Sequence, residues 1–128
     1  MPSNIFFSRA GNLEFSFFLI GFGSGNSEAT NALVSVLHTY DKDRGLGANN
    51  RGRYSNPEFD RAIELAQATS DDKAREKLLQ QSAMIAFRDV GIIPVHFQAN
   101  DWATRKGWIY KASKEENTLA GNLTPPKP

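Results

Sequence analysis

Apolar and polar residues alternate over short stretches that predict β-strands. Residues 13–20, "LEFSFFLI", have apolar side chains at every second position, and their second face becomes apolar towards the end, which predicts a strand entering the core. "IIPVHF" at residues 92–97 predicts another strand, in which Pro94 favours an edge position or a bulge. A short strand or extended segment is expected through Trp108 and Tyr110.

Helical spacing of apolar residues predicts three helices. The first follows the N-cap candidate Ser27 in "SEATNALVSVLHTY". The second begins at Asn56, with Pro57 at the first helical position, where its missing N–H is tolerated. The third begins at a Ser70 cap and is closed by Gly91. A turn of two to three residues separates the last two helices and predicts a helical hairpin.

These periods predict an α/β fold with a small mixed sheet flanked by the hairpin. The positions expected in the core are Phe15 and Phe17 in the first strand; Leu33, Val36 and Leu37 in the first helix; Phe59, Ile63 and Ala66 in the second; and Leu79, Ala83, Phe87 and Val90 in the third, flanked by Leu78 and Ile85. Residues 41–54, between the first two helices, lack periodicity and are expected to form a surface loop.

The glycine-rich stretch "GFGSGN" at residues 21–26 follows the first predicted strand. Its spacing fits neither the nucleophile elbow of hydrolases nor a dinucleotide-binding fingerprint. Phe22, at the end of the strand, is either a core residue or a ring that projects over a ligand cleft. The backbone N–H groups of residues 23–26, with the side chains of Ser24 and Asn26, suit a polar or anionic group.

Length, charge and composition narrow the class of protein. The 128 residues suffice for one compact domain, and the net charge of +1 gives no electrostatic case for nucleic acid or an anionic membrane. No apolar run is long enough for a transmembrane helix. The first residues, "MPSNIFFSRAGN", lack the basic and apolar regions of a signal peptide. Cysteine is absent, which excludes disulfides and thiol catalysis.

Candidate catalytic and metal-binding chemistry is sparse. The two histidines, His38 and His96, have no suggestive spacing to carboxylates, so no metal site is expected. "DKDRG" at residues 41–45 resembles the start of a calcium loop, but Lys42 and Arg44 interrupt the carboxylates, which favours a solvated turn. No acid–base pair or nucleophile is apparent. We therefore expect a protein that is not an enzyme and that needs no cofactor.

Several segments together carry a family resemblance. These are the glycine-rich stretch at residues 21–23, the opening Tyr54, Asn56, Pro57, Glu58, Phe59 and Asp60, the strand residues Ile93, Pro94 and Val95, and "WATRKG" at residues 102–107. In order and spacing, the chain from about residue 6 to 123 resembles the C-terminal part of the family 5 extracellular solute-binding proteins. These are the peptide-, oligopeptide- and nickel-type receptors of bacterial ABC importers.

The resemblance implies a fold, a site and a location. Residues 1–100 would form part of the C-terminal lobe of a two-lobed periplasmic-binding-protein clamshell, and residues 101–128 would return towards the other lobe. The turn formed by Phe22, Gly23, Ser24, Gly25 and Asn26 would line the cleft for a peptide-like or other small polar solute. The full-length protein would be periplasmic or extracytoplasmic and would deliver its solute to an ABC permease.

One departure limits what the resemblance implies about the ligand. Peptide-binding members carry an aspartate in this turn that pairs with the ligand's amino group. Here the corresponding position is near Gly25 or Asn26, and no acidic residue occurs before Glu28. The receptor role is therefore implied, whereas recognition of a peptide N-terminus is not.

An alternative remains open at this point. The chain is then a truncated, stand-alone α/β interaction module without a transport function. The aromatic residues Trp102, Trp108 and Tyr110 lie near the C-terminus, where little chain remains to cover them. An exposed apolar patch of this kind would drive self-association into a homodimer.

Overall fold

The computed structural model describes residues 1–24, 28–113 and 117–126. Within these ranges four α-helices are formed, α1 Ser3–Gly11, α2 Ala29–Val36, α3 Pro57–Ala68 and α4 Asp72–Arg88. Two short strands, β1 Ile109–Tyr110 and β2 Leu123–Thr124, pair antiparallel, and the 3₁₀ turn Ala120–Asn122 leads into β2. No helix among the described residues combines the length and apolar character needed to cross a membrane.

The helical hairpin predicted from sequence is confirmed, and it carries the core. Helices α3 and α4 pack along their length and α2 packs against both. The fully buried residues lie mainly on α3, where Phe59 and Ile63 are both 0% exposed. The core is completed by Leu33, Leu37, Ala66, Ile85 and Ala86. A core of this size is built by helix–helix packing and does not use a sheet.

The start of α3 follows the prediction, and that of α4 is shifted by one residue. The Asn56 side chain accepts hydrogen bonds from the backbone N–H groups of Glu58 (2.8 Å) and Phe59 (3.3 Å), and Pro57 is the first helical residue. Asp71, not Ser70, caps α4, because its carboxylate accepts from Ala74 N at 2.8 Å. The carboxylate also suits the positive end of the helix dipole.

The end of α4 is held against the loop that precedes α3. Val90 has the left-handed φ of 55° that was expected at Gly91. Gly91 is needed for a different reason, since a Cβ atom there would lie 2.7 Å from the Tyr54 ring. The Tyr54 hydroxyl donates to Asp89 Oδ2 at 2.9 Å, and Asn56 donates to the same oxygen. We call this set, Tyr54, Asn56, Asp89 and Gly91, the tyrosine latch.

The loop at residues 41–54 is ordered by one buried side chain. Asn50, 2% exposed, donates to the carbonyl oxygens of His38 (2.9 Å) and Tyr54 (2.7 Å) and accepts from Tyr54 N at 3.0 Å. At the tip of the loop, Asp41 accepts from the backbone N–H groups of Asp43 and Arg44, both at 3.0 Å. The Asp41 carboxylate therefore binds backbone groups of its own turn, in agreement with the solvated turn predicted at "DKDRG".

Two predicted strands are absent from the described residues, and an unpredicted helix, α1, precedes the first of them. Residues 13–20 and 92–97 are not paired with any strand in the described part of the chain. Phe17 is 80% exposed, so its assignment to the core is wrong. Phe15 instead stacks on Phe6 of α1 at 5.6 Å between ring centroids. A strand needs a partner to satisfy its backbone, and none of the described residues supplies one here.

Two further core assignments, one near the end of α4 and one just after it, are wrong. Phe87 is 46% exposed and Val90 is also exposed, whereas Ser82, Ile85 and Ala86 are buried. The buried face of α4 is therefore rotated relative to the predicted stripe. The described residues form a mainly helical unit with one two-stranded antiparallel sheet, which is compatible with an α/β fragment and smaller in sheet content than expected.

Candidate functional site

The structure places only part of the predicted ligand-binding turn. Phe22 is 40% exposed, and Gly23 is exposed beside it. The Ser24 hydroxyl donates to the carbonyl oxygen of Glu28 at 3.1 Å, which bridges the start of α2. Gly25 and Asn26, as well as the N-cap candidate Ser27, lie outside the described residues. The turn thus presents one aromatic ring and a half-buried hydroxyl near the N-terminus of α2.

The aromatic residues near the C-terminus line a cavity, which we call the aromatic cavity. Its volume is about 410 Å³, and it is formed by two segments that β1 and β2 join. Its lining consists of Trp102, Ala103, Thr104, Arg105, Trp108, Tyr110, Thr118, Leu119, Ala120 and Leu123. The volume falls within the range of small-molecule sites, roughly 300–1,000 Å³.

The rings of the aromatic cavity are fixed by their polar edges. The Trp102 indole N–H donates to the Thr118 hydroxyl oxygen at 3.0 Å. The Tyr110 hydroxyl accepts from Leu119 N at 3.2 Å and donates to Asn117 O at 3.4 Å. Trp102 and Tyr110 lie 5.7 Å apart, with ring planes tilted by 33°. Residues 117–124 therefore cover part of the aromatic patch that the sequence left without a covering segment.

A second cavity, of about 520 Å³, lies beside α3 and has a mixed charge. His38, buried at the end of α2, directs Nε2 to Glu64 Oε1 (3.1 Å) and Nδ1 to the Thr39 carbonyl oxygen (2.8 Å). Arg44 donates to the same Glu64 oxygen at 2.8 Å. Hydrogen bonds from Arg44 and then from His38 hold the pKa of Glu64 below its ordinary value of 4.5.

This histidine network was not anticipated from the sequence. One signal was available: Asp60 and Glu64 are four residues apart and so share one face of α3. Asp60 Oδ1 accepts from Thr39 N at 3.0 Å, and Glu64 meets His38. His96 is exposed on residues 92–97. Among the described residues, no group of three or more acidic or histidine side chains is arranged to hold a metal ion.

Comparison with known proteins gives one partial similarity. The chain is similar to the periplasmic oligopeptide-binding protein OppA of Haemophilus influenzae, with 34% identity over 53 residues. The match covers 41% of this chain but only 10% of OppA, so the chain spans a small part of that relative. No family model matches the chain. No solved structure matches it either. By its name, OppA is a binding protein rather than an enzyme.

Proposed function

We propose that this chain is part of the substrate-binding component of a bacterial ABC importer, of the family 5 solute-binding type. The observation that carries the proposal is the 34% identity to OppA over 53 residues. The order of motifs between residues 21 and 107 points in the same direction. On this proposal, residues 1–100 belong to one lobe of a clamshell and residues 101–128 return to the other.

The tyrosine latch supports a structural role for the motif that opens with Tyr54 and Asn56 in the family resemblance. Tyr54 and Asn56 both hydrogen-bond to Asp89, and Asn56 also caps α3. These residues therefore position the hairpin. On this proposal the motif indicates the fold, and the turn that contains Phe22 and Ser24 determines which ligand binds.

The proposed solute is peptide-like or another small polar molecule, and the turn at residues 22–26 forms one wall of its cleft. The turn lacks an acidic side chain, so it offers neutral donors and one aromatic ring. A clamshell closes two walls over its ligand, so the second wall would come from the part of the protein that pairs with this chain. The full-length protein would act outside the cytoplasmic membrane and would dock on an ABC permease.

Calorimetric titration of the protein from the complete reading frame tests this proposal. Short peptides and other small polar solutes are titrated into the native protein and into a variant carrying Phe22→Ala and Ser24→Ala. We expect one saturable solute, with affinity lowered roughly tenfold or more in the variant, since an aromatic wall and a hydroxyl are lost. Phe17→Ala, which removes an exposed ring five residues earlier, is the matched control. Equal loss in both variants would remove the turn from the site.

A second candidate function is a stand-alone module that self-associates, and a specific observation favours it. Ile93, Val95 and Phe97 are exposed in a segment that belongs to no helix or strand, and Phe97 is fully exposed. Within the described residues, the backbone of residues 92–101 makes no hydrogen bond to another backbone group. A segment whose backbone groups lack backbone partners can pair with a copy of itself.

Analytical ultracentrifugation over a range of concentrations separates the two routes to a dimer. Val95→Lys would abolish association through residues 92–101, and His96→Lys is the control, because it adds the same charge at the neighbouring exposed position without removing an apolar side chain. A dimer that survives Val95→Lys and is lost in Trp108→Ala would instead be the one predicted through Trp102, Trp108 and Tyr110. A monomer at all concentrations would exclude the module.

A further inference from the structure

The aromatic cavity presents ring faces and few free polar groups. The Trp102 N–H and the Tyr110 hydroxyl are engaged with residues 117–119. The Thr104 hydroxyl donates to Trp108 O at 3.0 Å. Because these polar edges are already hydrogen-bonded inside the protein, a ligand meets mainly the flat apolar surfaces of the rings. Flat aromatic ligands pack on such surfaces in offset or edge-to-face arrangements.

One lining residue of the aromatic cavity is charged. Arg105 lies on the wall, and none of the lining residues is acidic. Within residues 1–24, 28–113 and 117–126, the Arg105 guanidinium has no ion-pair partner at salt-bridge distance. A guanidinium binds a carboxylate through paired N–H donors, and it repels a cation that would otherwise be attracted to the aromatic faces. The charge on the wall therefore selects an anionic ligand.

The two halves of the wall are held together without a ligand. Pairing of Ile109 with Thr124 and of Tyr110 with Leu123 fixes the strand that carries Tyr110 against the segment that carries Leu119. Preformed walls lower the ordering cost of binding. The volume of about 410 Å³ exceeds that of a single aromatic ring with its carboxylate and leaves space for substituents.

We propose that the aromatic cavity binds a small planar aromatic carboxylate, with its ring packed on the cavity-facing surfaces of Trp102, Trp108 and Tyr110 and its carboxylate on Arg105. This site is separate from the turn at residues 22–26, and it goes beyond the importer proposal. Its failure would leave that proposal intact, because the solute site proposed there is the turn at residues 22–26 and is tested by a different titration with different variants.

The chain provides its own reporter for this site. Its two tryptophans are Trp102 and Trp108, and both line the aromatic cavity. Tryptophan emission excited at 295 nm is followed while benzoate, benzyl alcohol or benzylamine is added to the native chain. These three probes share a ring and differ in charge. We expect a saturable change with benzoate at a concentration roughly tenfold lower than with benzyl alcohol, the size of one charge-assisted hydrogen-bonded contact, and none with benzylamine.

Two exposed cations make a matched pair of variants. Arg105→Gln is expected to remove the preference for benzoate over benzyl alcohol, whereas Lys106→Gln, next to it and outside the cavity lining, is expected to retain it. Equal binding of the three probes, no saturable change with benzoate, or equal effects of the two variants would overturn the proposal. Emission that changes with protein concentration alone would also overturn it, because a second copy would then occupy the cavity.

Discussion

Replacing Asn50 by alanine tests whether the loop at residues 41–54 is held by one buried side chain. The substitution removes two donated hydrogen bonds, to the carbonyl oxygens of His38 and Tyr54, and one accepted from Tyr54 N. A buried hydrogen bond contributes about 1 kcal/mol net, and an unsatisfied buried group costs about 1–3 kcal/mol, so we expect a loss of about 3 kcal/mol or more. That is a large part of the stability of a small domain.

The neighbouring Asn49 provides the matched control. Its half-buried side chain donates one hydrogen bond, to Ser35 Oγ at 2.7 Å, so Asn49→Ala is expected to cost about 1 kcal/mol. Urea unfolding followed by far-ultraviolet circular dichroism gives both free energies, provided that the slope with denaturant is unchanged. Equal destabilisation by Asn49→Ala and Asn50→Ala, or a loss below about 1 kcal/mol for Asn50→Ala, would refute the reasoning.

Three sets of substitutions and one pH titration test the packing and the tyrosine latch. Gly91→Ala places a Cβ atom 2.7 Å from the Tyr54 ring, and we expect a loss of about 1–3 kcal/mol in thermal or urea unfolding. Phe59→Ala is expected to cost about 3–5 kcal/mol and Phe87→Ala far less, and equal costs would restore Phe87 to the core. Hydrogen bonds from Asn56 and then from Tyr54 hold the pKa of the Asp89 carboxyl below its ordinary value of 3.8. The stability that the ionised Asp89 contributes is therefore present above pH 3.8 and is lost as the pH falls through the lowered pKa. Asp89→Asn should flatten the acid limb of a curve of unfolding free energy against pH. Burial, and then the hydrogen bond to Asp89, raises the pKa of Tyr54 from 10.0 to about 12. The stability contributed by the protonated Tyr54 is therefore present below pH 10 and is lost as the pH rises through about 12. Absorbance at 295 nm follows the ionisation of the tyrosine.

The helical hairpin could be predicted from the sequence because its signals are local. An asparagine cap followed by proline fixes the start of α3, and the spacing of Phe59, Ile63 and Ala66 fixes its buried face. The stripe on α4 was misplaced because apolar residues occur on two of its faces. Only packing against α3 decides that Ile85 is buried and Phe87 is not.

The strands at residues 13–20 and 92–97 could not be decided in the same way. Alternation shows that a segment can pair, but the partner must be supplied by distant chain. Neither segment is paired within the described residues. The aromatic cavity could not be predicted for the same reason. Trp102 and Tyr110 were recognised in the sequence, whereas their covering by Thr118 and Leu119 depends on the β1–β2 pairing.

The candidate binding residues also differ in whether local sequence could reveal them. Phe22 and Ser24 were chosen from local composition and from the resemblance, and the turn they occupy remains a prediction. His38 was overlooked because its partner Glu64 lies 26 residues away, beyond any local pattern. The position of Glu64 on α3 could be predicted from the sequence, whereas the return of the loop at residues 41–54 onto that helix could not.

Native mass spectrometry of the protein from the complete reading frame tests the central claim most directly. The protein is mixed with an equimolar pool of short peptides and other small polar solutes, and the masses of the complexes are read. The importer proposal predicts a one-to-one complex with one class of solute. A protein that binds no member of the pool and has instead the mass of a dimer would contradict it.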